Sequence, residues 1–141
     1  MLSCQVVMNA LERIAPRHLA EDWDNTGLLV GSFSQKVERI LVALDVDDTV
    51  VAEAIERRAD MIVAHHPAIF RGMKHLRTDL PLGRRLAALL THGIAAAAAH
   101  TNLDITRGGT HKAHVGDAEP LAHRVGKVLD GDGRRERADA P

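Results

Sequence analysis

Three short apolar runs, RILVALD at 39–45, MIVA at 61–64 and IAAAAA at 94–99, are spaced so that one helical stretch fits between each pair. Continuous apolarity, rather than alternation, marks strands covered on both faces, as in a parallel sheet. Between the first two runs, Asp48 or Thr49 can cap a helix that turns Val51, Ala54, Ile55 and Ala59 inward and Glu53, Glu56, Arg57 and Arg58 outward. Between the second and third, a helix is expected over 81–92, opened by Pro81 and stopped by Gly93. Alanines 95–99 favour helix by propensity, but the Gly93 stop and the alternation of elements make them a strand. Strands joined by helices through short links require right-handed crossovers. The expected fold class is therefore α/β, with a largely parallel sheet.

Ahead of these runs, Ser3 can cap a helix whose Val7, Met8, Leu11 and Ile14 recur at helical spacing until Pro16. A polar turn with Asp22, Trp23, Asp24 and Asn25 leads into a glycine-bounded strand over 27–31. From Thr106 the pattern fades into a weak helical stretch over 121–129 and a polar tail expected to be disordered. The division expected is an α/β domain over 1–109 and a divergent segment over 110–141.

The chain of 141 residues fits one domain. Aromatic residues make up only 2% and Tyr is absent, so the core falls to Ala, Leu, Val and Ile. A net charge of −1 supplies no field for holding a phosphate backbone, and no run approaches a membrane span. The single cysteine, Cys4, excludes an internal disulfide and a Cys-rich zinc module and suits a reducing compartment, the cytoplasm being the simplest. No base lies near it in sequence to make it a nucleophile. The N-terminus lacks a basic leader, and Glu12 and Arg13 interrupt its apolar stretch.

Nine histidines stand out. Ligands of an open α/β sheet gather beyond the carboxyl ends of its strands. The three runs exit into Asp45 and Asp47, into His65-His66-Pro67, and into His100-Thr101-Asn102-Leu103-Asp104. Adjacent histidines on a strand would point to opposite faces, but at a strand end before proline the chain can turn both into one pocket. Imidazole with carboxylate is the donor set of Zn, Mn, Fe, Co or Ni. We therefore expect a divalent-metal site with His65, His66 and Asp104 as ligands. His100 is a neighbour that orients a ligand or binds substrate. Asp45 and Asp47 read more readily as helix caps, and Asp22, Asp24 and Asn25 as turn chemistry without a role in the site. His18, His75, His92 and His123 read as ordinary core or surface residues.

The segments EDWDNTGLLVG at 21–31, LDV at 44–46, DMIVAHHPAIF at 60–70 and HTNLD at 100–104, in this order and spacing, resemble the Nif-three-like family, whose members are also called GTP cyclohydrolase I type 2 homologues or dinuclear metal centre hexameric proteins. The resemblance covers about the first 109 residues. It implies an α/β fold, a homohexameric ring and a two-metal centre in which His65 and His66 each contact a different metal and Asp104 is a further ligand. It also implies that a later histidine and a bridging glutamate complete the centre, from a C-terminal half that this sequence does not carry. His111, His114, Asp117 and Glu119 could stand in for them, since His111 and His114 would share a face of a helix.

The function expected is that of a hydrolase-like metal protein, in which a metal-activated water acts on a nucleotide or phosphoester. The alternatives are a non-catalytic metal-binding scaffold or regulatory protein, and a truncated, inactive remnant.

Overall fold

A computed structural model describes residues 2–106 and 127–129. Its main sheet has five strands in the order β2-β6-β5-β4-β7, where β2 is Gly27–Val30, β4 Ile40–Ala43, β5 Met61–Ala64, β6 Ala95–Ala98 and β7 Lys127–Leu129. The three apolar runs form its parallel centre, β4 beside β5 beside β6, with Ile40 opposite Met61 and Met61 opposite Ala95. Both edges are antiparallel, β2 on β6 and β7 on β4. Lys127–Leu129 is thus a strand where a weak helix was expected, because Val42 to Ile40 offer a free ladder that outweighs local propensity. The rest of that helix, the tail and the 109/110 boundary lie outside the described residues. A separate two-stranded ribbon pairs β1, Leu2–Ser3, with β3, Lys36–Val37.

Helices cover both faces. The crossover helices α2, Asp48–Glu56, and α3, Pro81–Thr91, place Val51, Ala54, Leu86 and Leu89 against Leu41, Ile62 and Ala96. On the other face α1, Cys4–Ile14, sets Cys4 and Val7 against Met61, Ala95 and Ala97. Period-two alternation along each strand explains how neighbours such as Met61 and Ile62 serve opposite layers, and both are fully buried. All four residues of β6 are buried as well. Alanine suits this central strand because its neighbours come close: a Cβ at Gly31 would sit 2.9 Å from the Ala95 methyl.

The helix ends differ in detail from expectation. Asp47, not Asp48 or Thr49, caps α2, accepting the Val50 N–H at 2.8 Å. Ser3 precedes α1 without a side-chain cap bond, its backbone being held instead in the β1 ribbon. Beyond α3, Gly93 adopts φ 64°, and the Gly93 and Ile94 N–H groups return to the Leu90 and Leu89 carbonyls. This paired closure is the usual glycine stop. Arg58 makes the same closure after α2, with φ 53°. No described helix is long and apolar enough to cross a membrane.

Candidate metal centre

The parallel centre of the sheet delivers its exits to one edge in register. Pairing continues past the strand ends: His65 N–H donates to the Ala43 carbonyl at 3.2 Å, His66 N–H to Leu44 at 2.9 Å, and Ala99 N–H to Ala64 at 3.0 Å. The paired histidines are thereby fixed by the ladder itself, and His100 directly follows its last paired residue, Ala99. Their rings converge, with centroids 5.1 Å apart for His65 and His66, 5.2 Å for His65 and His100, and 5.4 Å for His66 and His100. Each offers one ring nitrogen, and the three nitrogens lie within 4.8 Å of one another. Sequence reasoning placed His100 beside the site; the geometry makes it an equal member of the cluster.

Every Nδ1 in the cluster is engaged. His65 Nδ1 meets the Ala99 carbonyl at 2.9 Å, His66 Nδ1 the Asp45 carboxylate at 2.6 Å, and His100 Nδ1 the Asp24 carboxylate at 2.9 Å. A carbonyl or carboxylate oxygen accepts here, so each Nδ1 carries the hydrogen and Nε2 is the ring nitrogen left to bind a metal. Metal-binding histidines are oriented in this way, by a carbonyl or carboxylate on the nitrogen that does not bind.

Asp104 reaches the cluster from α4, Thr101–Ile105, a single turn the sequence reading did not foresee. Its Oδ1 lies 3.5 Å from His65 Nε2. Two ligand atoms held about 2.1 Å from one ion at a tetrahedral angle are about 3.4 Å apart, so this spacing fits a shared cation. The chemistry of the donor set, nitrogen with carboxylate oxygen, fits the same class of ion.

Two residues left out of the site by sequence reasoning belong to its support. Asp45 is not a helix cap; it holds His66, in an exposed pair. Asp24 is more than turn chemistry. Its side chain is 0% exposed and accepts from His100 Nδ1, from the Thr101 hydroxyl at 2.6 Å and from the Thr101 N–H at 3.1 Å. Burial raises its pKa, but the hydrogen bonds from Thr101, His100 and Asn25 prevail and lower it to about 2. The carboxylate is therefore charged at neutral pH. No local signal marked this role: β2 runs antiparallel to β6, with Gly27 opposite Ala98, which carries the preceding turn to the edge where His100 emerges. Asn102 completes the anchoring, its side chain donating to the buried Ala15 carbonyl at 2.8 Å and accepting the His100 N–H at 2.8 Å. His111, His114, Asp117, Glu119 and His123 lie outside the described residues.

Fold and site together define an α/β protein with a metal-competent histidine cluster at the carboxyl edge of its sheet. Residues 2–121 match the Duf34/NIF3 (NGG1p interacting factor 3) family model, and the chain belongs to that family. It is 45% identical over 107 residues to the GTP cyclohydrolase 1 type 2 homolog of Halalkalibacterium halodurans and 43% identical over 107 residues to that of Bacillus subtilis, in each case over 76% of this chain and 29% of the relative. A Bacillus cereus protein related to NIF3 superposes with a TM-score of 0.72 at 39% identity, over 76% of this chain and 29% of that one. The chain thus spans less than a third of the length of these relatives.

Proposed function

We propose that the chain binds divalent metal through His65, His66 and His100, with Asp104 joining them beside His65, and uses it in hydrolysis of a nucleotide or phosphoester. The observation that carries this reading is the set of three Nδ1 atoms each bound to an acceptor, which leaves three Nε2 atoms for one site. One or two ions of the Zn, Mn, Fe, Co or Ni class suit these donors. Such an ion, when bound, lowers the pKa of a water so that it serves as a nucleophile near neutral pH. The protein's own part is to hold the imidazoles in the right tautomer, through Ala99, Asp45 and Asp24, and to keep Asp104 against His65. The names of the relatives favour a nucleotide substrate, and the family resemblance favours assembly as a homohexamer in the cytoplasm. Light scattering on the purified protein tests the assembly.

The test of activity is hydrolysis of GTP and of generic phosphoesters by purified protein, with and without added Mn²⁺ or Zn²⁺. Metal-dependent turnover, lost in His65→Ala, upholds the reading. Stoichiometric metal without turnover leaves a non-catalytic metal-binding protein instead.

A further inference from the structure

The protein contains one Trp, two Phe and no Tyr. None of the three aromatic residues is in the core: Trp23 is 60% exposed, Phe33 47% and Phe70 46%. Two of them meet at the histidine cluster. Trp23 and Phe70 pack edge to face with centroids 6.0 Å apart, and Trp23 meets His100 in the same manner at 6.3 Å. A continuous array of rings therefore runs from Phe70 through Trp23 to the candidate metal ligands.

The display is built rather than accidental. Asp24, next to Trp23, is pinned to His100 and Thr101, and Glu21 N–H donates to the Thr101 hydroxyl at 2.9 Å. Asn25 donates its side-chain amide to the carbonyl of Ile69, the neighbour of Phe70, at 2.6 Å. Both aromatic residues are thus held from the flanking backbone while their side chains face solvent. Burying an indole would add stability, so a fixed and exposed one in a chain whose described core holds no aromatic ring forgoes that gain. Arg71 and Lys74 follow Phe70, both exposed and without an ion-pair partner among the described residues.

We propose that Trp23 and Phe70 form a stacking platform that takes the flat heteroaromatic ring of the substrate and presents its adjoining group to the histidine cluster. The inference rests on the proposed metal-dependent reading and adds to it a ring-recognition element, which makes a nucleotide the substrate class rather than a simple phosphoester.

Trp23 is the only tryptophan, so its fluorescence reads the platform directly. The full chain, loaded with Mn²⁺ or Zn²⁺ and in parallel metal-free, is titrated with GMP, with CMP and with ribose 5-phosphate. Saturable quenching by the nucleotides but not by ribose 5-phosphate is expected. By calorimetry, Trp23→Ala and Phe70→Ala should each weaken GMP binding roughly 5- to 150-fold while metal content stays at the wild-type level. Phe33→Ala, in the loop that Gln35 ties to Asp60 and Gly93 at the opposite ends of β5 and β6 from the histidines, should leave binding unchanged. Circular dichroism confirms that each variant is folded. Equal responses to GMP and ribose 5-phosphate, no response to either nucleotide at millimolar concentration, or undiminished GMP binding in both aromatic variants would overturn the platform. A Trp23 spectrum that shifts with protein concentration and ignores nucleotide would overturn it too, assigning the pair to contact with a second copy. Ring-dependent quenching in a chain that holds no metal would uphold the platform while removing the metal reading.

Discussion

Asp24 accepts the Nδ1 hydrogen of His100 at 2.9 Å across 76 positions of sequence, from a carboxylate with 0% side-chain exposure. This one bond joins the turn before β2 to the exit of β6 and fixes which nitrogen of His100 faces the cluster. Replacing the acceptor with Asp24→Ala should lower metal affinity roughly 10- to 100-fold, the usual cost of losing such a support. Calorimetric titration of Zn²⁺ into wild type and variant measures it.

The same carboxylate makes a prediction about acid. Its folded pKa is about 2 against an ordinary 3.8, a depressed value. The stability it contributes is therefore complete above the unfolded pKa and is lost as pH falls through the folded one. The difference corresponds to about 2 kcal/mol. Urea denaturation of chelator-treated protein between pH 5 and pH 2 should show this loss in wild type, and a flatter profile in Asp24→Asn.

Arg58 occupies the left-handed region, φ 53°, where the closure of α2 calls for glycine. A side chain there costs about 1–2 kcal/mol, of which the extra freedom of glycine in the unfolded chain takes back about half. Arg58→Gly should accordingly stabilise the fold by about 0.5–1 kcal/mol. A raised thermal midpoint with unchanged metal content is the expected result.

Gly83, in the first turn of α3, has no room for a side chain: a Cβ there would lie 2.6 Å from the Arg77 carbonyl carbon. That atom belongs to backbone and yields only if the loop before α3 moves. Gly83→Ala should destabilise by about 1–3 kcal/mol, despite the better helix propensity of alanine. Chemical denaturation gives the value directly.

The strands of the parallel centre were legible because their apolar runs are bounded by glycine, proline or charge, and because Gly93 separates α3 from the alanines of β6. That the exits after β5 and β6 meet was legible for a related reason: a parallel sheet sends successive exits to one edge, which brings His65, His66 and His100 together, with Asp104 against His65. The roles of Asp24 and Asp45 were not, since each depends on a partner brought near only by the sheet. Asp24 required knowing that β2 runs antiparallel. Asp45 looked like a cap until Asp47, two residues on, took the Val50 N–H. The β7 strand was hidden for a similar reason, its pairing with β4 lying far off in sequence.

Metal content per chain, measured by inductively coupled plasma mass spectrometry after gel filtration, tests the central claim most directly. Wild type is predicted to retain at least about one equivalent of divalent metal, and His65→Ala, His66→Ala and Asp104→Ala to lose most of it while remaining folded. Full metal content in all three variants, or none in wild type reconstituted with Zn²⁺ or Mn²⁺, would contradict the account.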